Sequence, residues 1–178
     1  MNKLITLVLS ATLLASCTSA PVETTANIVD TPEYTFEVFP AWIEVPAKDI
    51  ETSIPEENFR IYRSPEPLNG IYSKYTIIQE ELLSQTDSVA FAKKNIENTP
   101  TSTRNYTKLR EAEITIDGEK SLLHIFEAQN TGASSTITFV QAYLVKNGTK
   151  GFTLSFSVSP SVQNFDPYIA MLQRFNLK

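Results

Sequence analysis

The chain contains a single cysteine, Cys17, and a single histidine, His124, far apart in sequence. Structural and catalytic zinc sites draw three or four ligands from Cys, His and carboxylates, so one histidine is a poor start for a metal centre. A Ser-His-acid triad would need His124 beside a nucleophile, and no G-x-S-x-G elbow presents one. In "LLHIF", strand alternation puts Leu122, His124, Phe126 and Ala128 on one mainly apolar side, which reads as a packed or rim histidine. Cys17 has more options: a reactive thiol, a metal ligand, half of an intermolecular disulfide, a core residue, or a point of covalent attachment.

The acids and glycines offer little more. Glu80-Glu81 and Glu111/Glu113 are the most conspicuous carboxylates, and Glu111 and Glu113 project to the same side of a strand. That spacing is compatible with calcium or glycosidase chemistry, but it reads better as an exposed acidic face that discourages edge-to-edge aggregation. "DGE" at 117–119 lacks the remainder of a calcium loop. Glycines 70, 118, 132, 148 and 151 form no phosphate-cradling loop. "NGT" at 147–149 has the form of an N-glycosylation acceptor and reads here as a hairpin turn. Tyr62, Tyr72, Tyr75 and Tyr106 come from less regular segments and are candidates either for packing or for lining a groove.

The neighbours of Cys17 narrow its role. Lys3 and the amino terminus precede an apolar run from Leu4 to Leu14, interrupted only by Ser10 and two threonines, in the layout of a secretory signal peptide. The run falls short of the about 20 apolar residues that span a bilayer. Leu14-Ala15-Ser16-Cys17 then resembles the lipobox of bacterial lipoproteins. That resemblance implies cleavage between Ser16 and Cys17, diacylglycerol on the Cys17 thiol and acylation of the new amino terminus. Cleavage as an ordinary secreted protein and retention as an uncleaved anchor are the alternatives. Acyl chains contribute about 0.8 kcal/mol per buried methylene, enough together for near-permanent anchoring in a lipid bilayer. Thr18 rather than Asp after the cysteine implies, by resemblance to enteric bacteria, the outer membrane, with the protein facing the periplasm.

Residues 1–16 are thus expected to be a lipoprotein signal peptide, 17–33 a lipidated amino terminus and flexible tether, and 34–178 a single folded domain. The tether, "TSAPVETTANIVDTPE", is rich in small polar residues and poor in large apolar ones. The formal charge of −5, with basic residues scattered, argues against nucleic-acid binding, which needs clustered cations. With Cys17 lipidated, no disulfide can staple the domain, so its core must suffice.

Stepping along that domain, "YTFEV" alternates as a strand until Pro40, and Trp42 is expected to be buried against the sheet. "NFRIYRS" is a short strand, "SPEPLNG" a turn-rich loop, and "IYSKYTIIQEELL" a strand. Thr86 or Asp87 caps a short helix that Pro100 ends, with Val89, Ala92 and Ile96 inward. Two hairpins follow, turning at Asp117-Gly118 and Asn147-Gly148, dipeptides suited to two consecutive positive-φ positions. Phe152, Leu154, Phe156 and Val158 alternate with Thr153, Ser155, Ser157 and Ser159, giving one core face and one wet face. Asp166 is read as an N-cap and Pro167 as the first residue of a closing helix, with Phe165, Tyr168, Ile169, Leu172 and Phe175 or Leu177 as its apolar stripe.

"FPAW" (39–42), "REAEITIDGEKSLLHIFEA", "FVQAYLVKNGTKGFTLSFSV" and the ending "FDPYIAMLQRF" together resemble the PsbP/DcrB-like superfamily over residues 34–178. The resemblance implies an α+β fold, an antiparallel β-sheet of about five to seven strands with helices packed on it as an α/β/α sandwich. It also implies an accessory or binding role with an envelope protein partner, without enzymatic activity or cofactor. None of the family's functional residues carries over onto this sequence. Two other readings remain: a carrier of a small apolar ligand, which requires an internal apolar cavity, and an envelope hydrolase, which requires convergent carboxylates.

Overall fold

The structure, a computed structural model, describes residues 27–50, 52–129 and 135–178. Ser16 and Cys17 lie outside the described residues. Within the segment expected to be tether, Asn27–Asp30 forms a strand (β1), ahead of the expected domain start at Tyr34. It pairs antiparallel with β2 (Tyr34–Val38), whose Tyr34, Phe36 and Val38 are buried as the alternation requires. β1 is only four residues, Asn-Ile-Val-Asp, set among small polar residues, and its pairing with β2 fixes its place.

The main layer is a seven-stranded antiparallel sheet in the order β3-β4-β5-β9-β8-β7-β6. It comprises β3 (Ile43–Glu44), β4 (Phe59–Leu68), β5 (Ile71–Glu81), β6 (Arg104–Ile116), β7 (Glu119–Gln129), β8 (Ile137–Lys146) and β9 (Lys150–Val158). The expected α+β architecture is therefore present. Asp117-Gly118 and Asn147-Gly148 turn their hairpins with positive φ at both residues, and Asn69-Gly70 does the same between β4 and β5. "SPEPLNG" is accordingly not a loop: β4 runs through it, with a register irregularity between Arg63 and Pro67. Pro65 and Pro67 fit there because β3 pairs with β4 only at Tyr62 and Arg63, leaving the outer edge beyond them open.

Helix α1 (Ser88–Ser102) packs on one face of the sheet. Phe91, Ala92 and Ile96 meet Leu122, Tyr143 and Val145. Asp87 is the cap, accepting a 2.7 Å bond from the Ala90 N–H. Pro100 does not end the helix. It lies in the last turn, where the hydroxyls of Thr99, Ser102 and Thr103 donate to the carbonyls of Asn95 and Thr99 and sustain the final residues.

The opposite face is covered by a three-stranded sheet, β1-β2-β10, and by helix α2 (Asp166–Leu172), with β10 (Asn176–Leu177) following it. This layer is thus part helix and part strand. Phe165 rather than Asp166 occupies the N-cap position, and Asn164 Oδ1 accepts from the Asp166 N–H at 3.0 Å. The core beneath is dense with rings: Tyr75 stacks on Phe156 at 4.3 Å, and Tyr34 on Phe175 at 4.9 Å. Trp42 is only partly buried, against Phe39 and Phe156.

Candidate functional site

Strand register places one residue from each strand in rows across the face that carries α1. One row reads Ile61, Thr76, Ser155, Gln141, His124, Glu111. The next reads Arg63, Lys74, Ser157, Phe139, Phe126, Lys108. Helix α1 covers the β6–β8 end of this face, and among the described residues no helix covers the β4-β5-β9 end. The result is an open groove of about 550 Å³, lined by Ile61, Tyr72, Lys74, Thr76, Ile78, Phe139, Gln141 and the hydroxyls of Thr153, Ser155 and Ser157.

The groove floor is organised by side-chain hydrogen bonds. Gln141 Nε2 donates to Ser155 Oγ at 3.0 Å, and the Tyr143 hydroxyl donates to Gln141 Oε1 at 2.7 Å. The amide is therefore fixed from both ends. The alternation of β9 left Thr153, Ser155 and Ser157 facing this side as expected, although Ser155 is mostly covered, at 8% exposure. At the groove's outer end the β4–β5 hairpin carries Tyr72, 37% exposed, with the Arg63 guanidinium 4.7 Å from its ring centre. The hairpin tip is held by Asn69 Nδ2 donating to Ser161 Oγ at 2.9 Å.

His124 continues the polar row under α1 and is fully buried. The Tyr106 hydroxyl lies 3.0 Å from Nε2, Phe126 stacks on the ring at 4.4 Å, and Nδ1 has no hydrogen-bond partner among the described residues. Burial pushes the imidazole down to about 4, with the Glu111 carboxylate opposing the drop and Lys108 adding to it. A neutral, ring-stacked histidine is the packed residue its strand neighbours imply.

The other sequence candidates disperse. Glu111 is engaged by Lys108 at 3.2 Å, Glu113 is exposed beside it, and Glu81 meets Lys150 at 3.4 Å. Among the described residues, no carboxylate lines the groove. Among the described residues, no group of three or more His, Cys, Asp or Glu is placed to hold a metal ion. The four tyrosines part company: Tyr62 and Tyr75 are core, Tyr106 packs on His124, and Tyr72 faces the groove. An apolar cleft of about 320 Å³, edged by Phe39, Trp42, Val162 and Tyr168, lies at the surface rather than within the core. Among the described residues no helix is long and apolar enough to cross a membrane. What sequence reasoning missed is the groove itself, including Lys74, Phe139 and Gln141, with Arg63 beside it over the Tyr72 ring. The alternation of each strand was visible, but the register that aligns them was not.

No protein-family model matches this chain, and no curated protein matches its sequence. Solved structures share its fold at low identity. Cyanobacterial PsbP (CyanoP) from Synechocystis is 13% identical, with a TM-score of 0.58 over 93% of this chain and 99% of that one. The Saccharomyces cerevisiae Ran-binding protein Mog1p is 13% identical, with a TM-score of 0.57 over 86% of this chain and 96% of that one. A Pseudomonas aeruginosa protein of unknown function is 14% identical, with a TM-score of 0.53 over 83% of this chain and 94% of that one. The likeness to PsbP inferred from the sequence holds at the level of fold.

Proposed function

We propose that this chain is a non-enzymatic accessory or binding protein of the bacterial envelope, held to the bilayer through a lipid on Cys17, with the open half of its sheet face turned toward a protein partner. The observation that carries this reading is the groove. Four strands present hydroxyls, one fixed amide, two aromatic rings and a cation on a surface that the protein's own helix leaves uncovered. It has the mixed polar and aromatic lining of a recognition surface and no carboxylate to serve as acid or base. Mog1p, of the same fold, is a Ran-binding protein by name, so this architecture serves protein recognition elsewhere. The sequence around Ser16 and Cys17 supplies the anchor, residues 1–16 the signal peptide, and Thr18 the outer-membrane address facing the periplasm.

The test has two parts. Mass analysis of the mature amino-terminal peptide should find it starting at Cys17 with added lipid, and Cys17→Ser should abolish the lipid; a start elsewhere overturns the anchor. A photo-crosslinking side chain at Ser157 in the full-length lipidated protein should capture one reproducible envelope protein that the same group at Lys94, on the exposed side of α1, does not. Equal capture from both positions, or none from Ser157, overturns the groove as the partner surface.

A further inference from the structure

Arg63 and Lys74 are direct cross-strand partners on the groove side of β4 and β5. Like charges facing each other across a strand pair destabilise it. Neither has a carboxylate within salt-bridge distance among the described residues. The contrast within the same strand is informative: Arg60 is matched by Glu44 at 3.0 Å. In a chain with a net charge of −5, Lys74 lines a groove that has no acid among its described lining residues, and Arg63 stands next to it over Tyr72, another lining residue. Arg63 is also held in place, its guanidinium against the Tyr72 ring.

From this pair we infer that the groove recognises an acidic, extended segment of the protein partner, with a carboxylate seated between Arg63 and Lys74. The inference rests on the groove being the partner-facing surface proposed above. The row continues from the cations through Ser157, a donor for a second carboxylate oxygen, to Phe139, an apolar contact for a following side chain. The span from β4 to β8 is three strand spacings, about 14 Å, which matches about four residues of extended chain. Thr76 and the Gln141 amide in the neighbouring row offer donors and acceptors to that segment's backbone. A charge-assisted contact is stronger than a neutral one, and the cost of the facing cations is relieved only when an anion joins them.

The probe is a fluorescein-labelled peptide of alternating glutamate and valine, compared with its glutamine counterpart, titrated into the lipidated full-length protein in detergent at low ionic strength. The acidic peptide should bind, the glutamine peptide should bind at least about tenfold more weakly, and added salt should weaken the former. R63E/K74E, and the milder R63Q/K74Q, should each lower affinity by about tenfold or more with unchanged circular dichroism. K93E/K94E, an equal charge change on α1, should leave it intact. Absence of acidic-peptide binding, equal binding of both peptides, or equal sensitivity to K93E/K94E overturns the inference. So does binding of anionic phosphatidylglycerol vesicles, lost in R63E/K74E, in place of the peptide. Crosslinking at Ser157 does not depend on these charges, so a captured partner that persists in R63E/K74E overturns the acidic segment and leaves the groove as a binding surface.

Discussion

A methyl group added to Gly151 would stand 2.6 Å from Cζ of Phe91, closer than carbon atoms can approach. Gly151 lies in β9, opposite Val145 of β8, and Phe91 is the ring by which α1 seats on the sheet. The absent side chain is what lets the helix settle here, at one end of the sheet face, with the groove left open beside it. Gly151→Ala should therefore destabilise the fold by about 1–3 kcal/mol, read from urea unfolding midpoints. Phe91→Leu combined with Gly151→Ala should cost less than the sum of the two single changes, because the smaller side chain relieves the overlap. Strict additivity would show that the contact is not what constrains the site.

His124 should make stability depend on pH. Its folded-state pKa of about 4 lies below the 6.5 of an unfolded histidine, so between those values the unfolded chain binds the extra proton. Stability from this group is complete above pH 6.5, falls as the pH drops toward 4, and levels off below it. The loss is at most about 3 kcal/mol. His124→Phe keeps the stack on Phe126 and removes the titration, so the stability of the variant relative to the unsubstituted protein should be constant above pH 6.5 and rise as the pH falls toward 4. Parallel pH profiles would contradict the depressed pKa.

Much of this architecture is legible in the residues, and the exceptions share a cause. Asp117-Gly118 and Asn147-Gly148 announce their hairpins because the flanking strands alternate cleanly. Asn69-Gly70 has the same chemistry, but Pro65 and Pro67 argue against a strand before it. They are allowed only because β3 stops short, which is a fact about a neighbour. β1 and the two residues of β10 owe their conformation to β2 between them. Pro100 falls inside α1, where the hydroxyls of Thr99, Ser102 and Thr103 on either side of it donate to the carbonyls of Asn95 and Thr99. The groove is the extreme case. Arg63, Lys74, Ser157 and Phe139 come from four strands, and only the register brings them into one row.

Tyr75 tests the core on the other side of the sheet. Its ring is fully buried and stacked on Phe156, yet its hydroxyl has no hydrogen-bond partner among the described residues. A buried unsatisfied hydroxyl costs about 1–3 kcal/mol, whereas the ring's packing is retained by phenylalanine. Tyr75→Phe should be neutral or more stable by up to about 1 kcal/mol in thermal and urea unfolding. A clear loss of stability would reveal that the hydroxyl is satisfied by something such as bound water.

The attachment of α1 offers a final test, because two consecutive residues do different jobs. The Asp87 carboxylate accepts from the Ala90 N–H at an exposed helix end, a local cap whose removal costs about 1 kcal/mol. The Ser88 hydroxyl, buried, accepts instead from the Val145 N–H of β8 at 2.9 Å. Ser88→Ala would leave that backbone donor unpaired away from water, a penalty of about 1–3 kcal/mol. The two also separate in kind. Asp87→Asn retains a capping oxygen and should recover most of the Asp87→Ala loss, while Ser88→Thr must fit an added methyl into the contact and should recover less. Hydrogen exchange should locate the second defect: Ser88→Ala should speed exchange at the Val145 amide specifically, and Asp87→Ala at the first turn of the helix. If both changes instead loosen only the helix end, α1 is held to the sheet by the Phe91, Ala92 and Ile96 contacts alone, and the serine is incidental to where the groove lies.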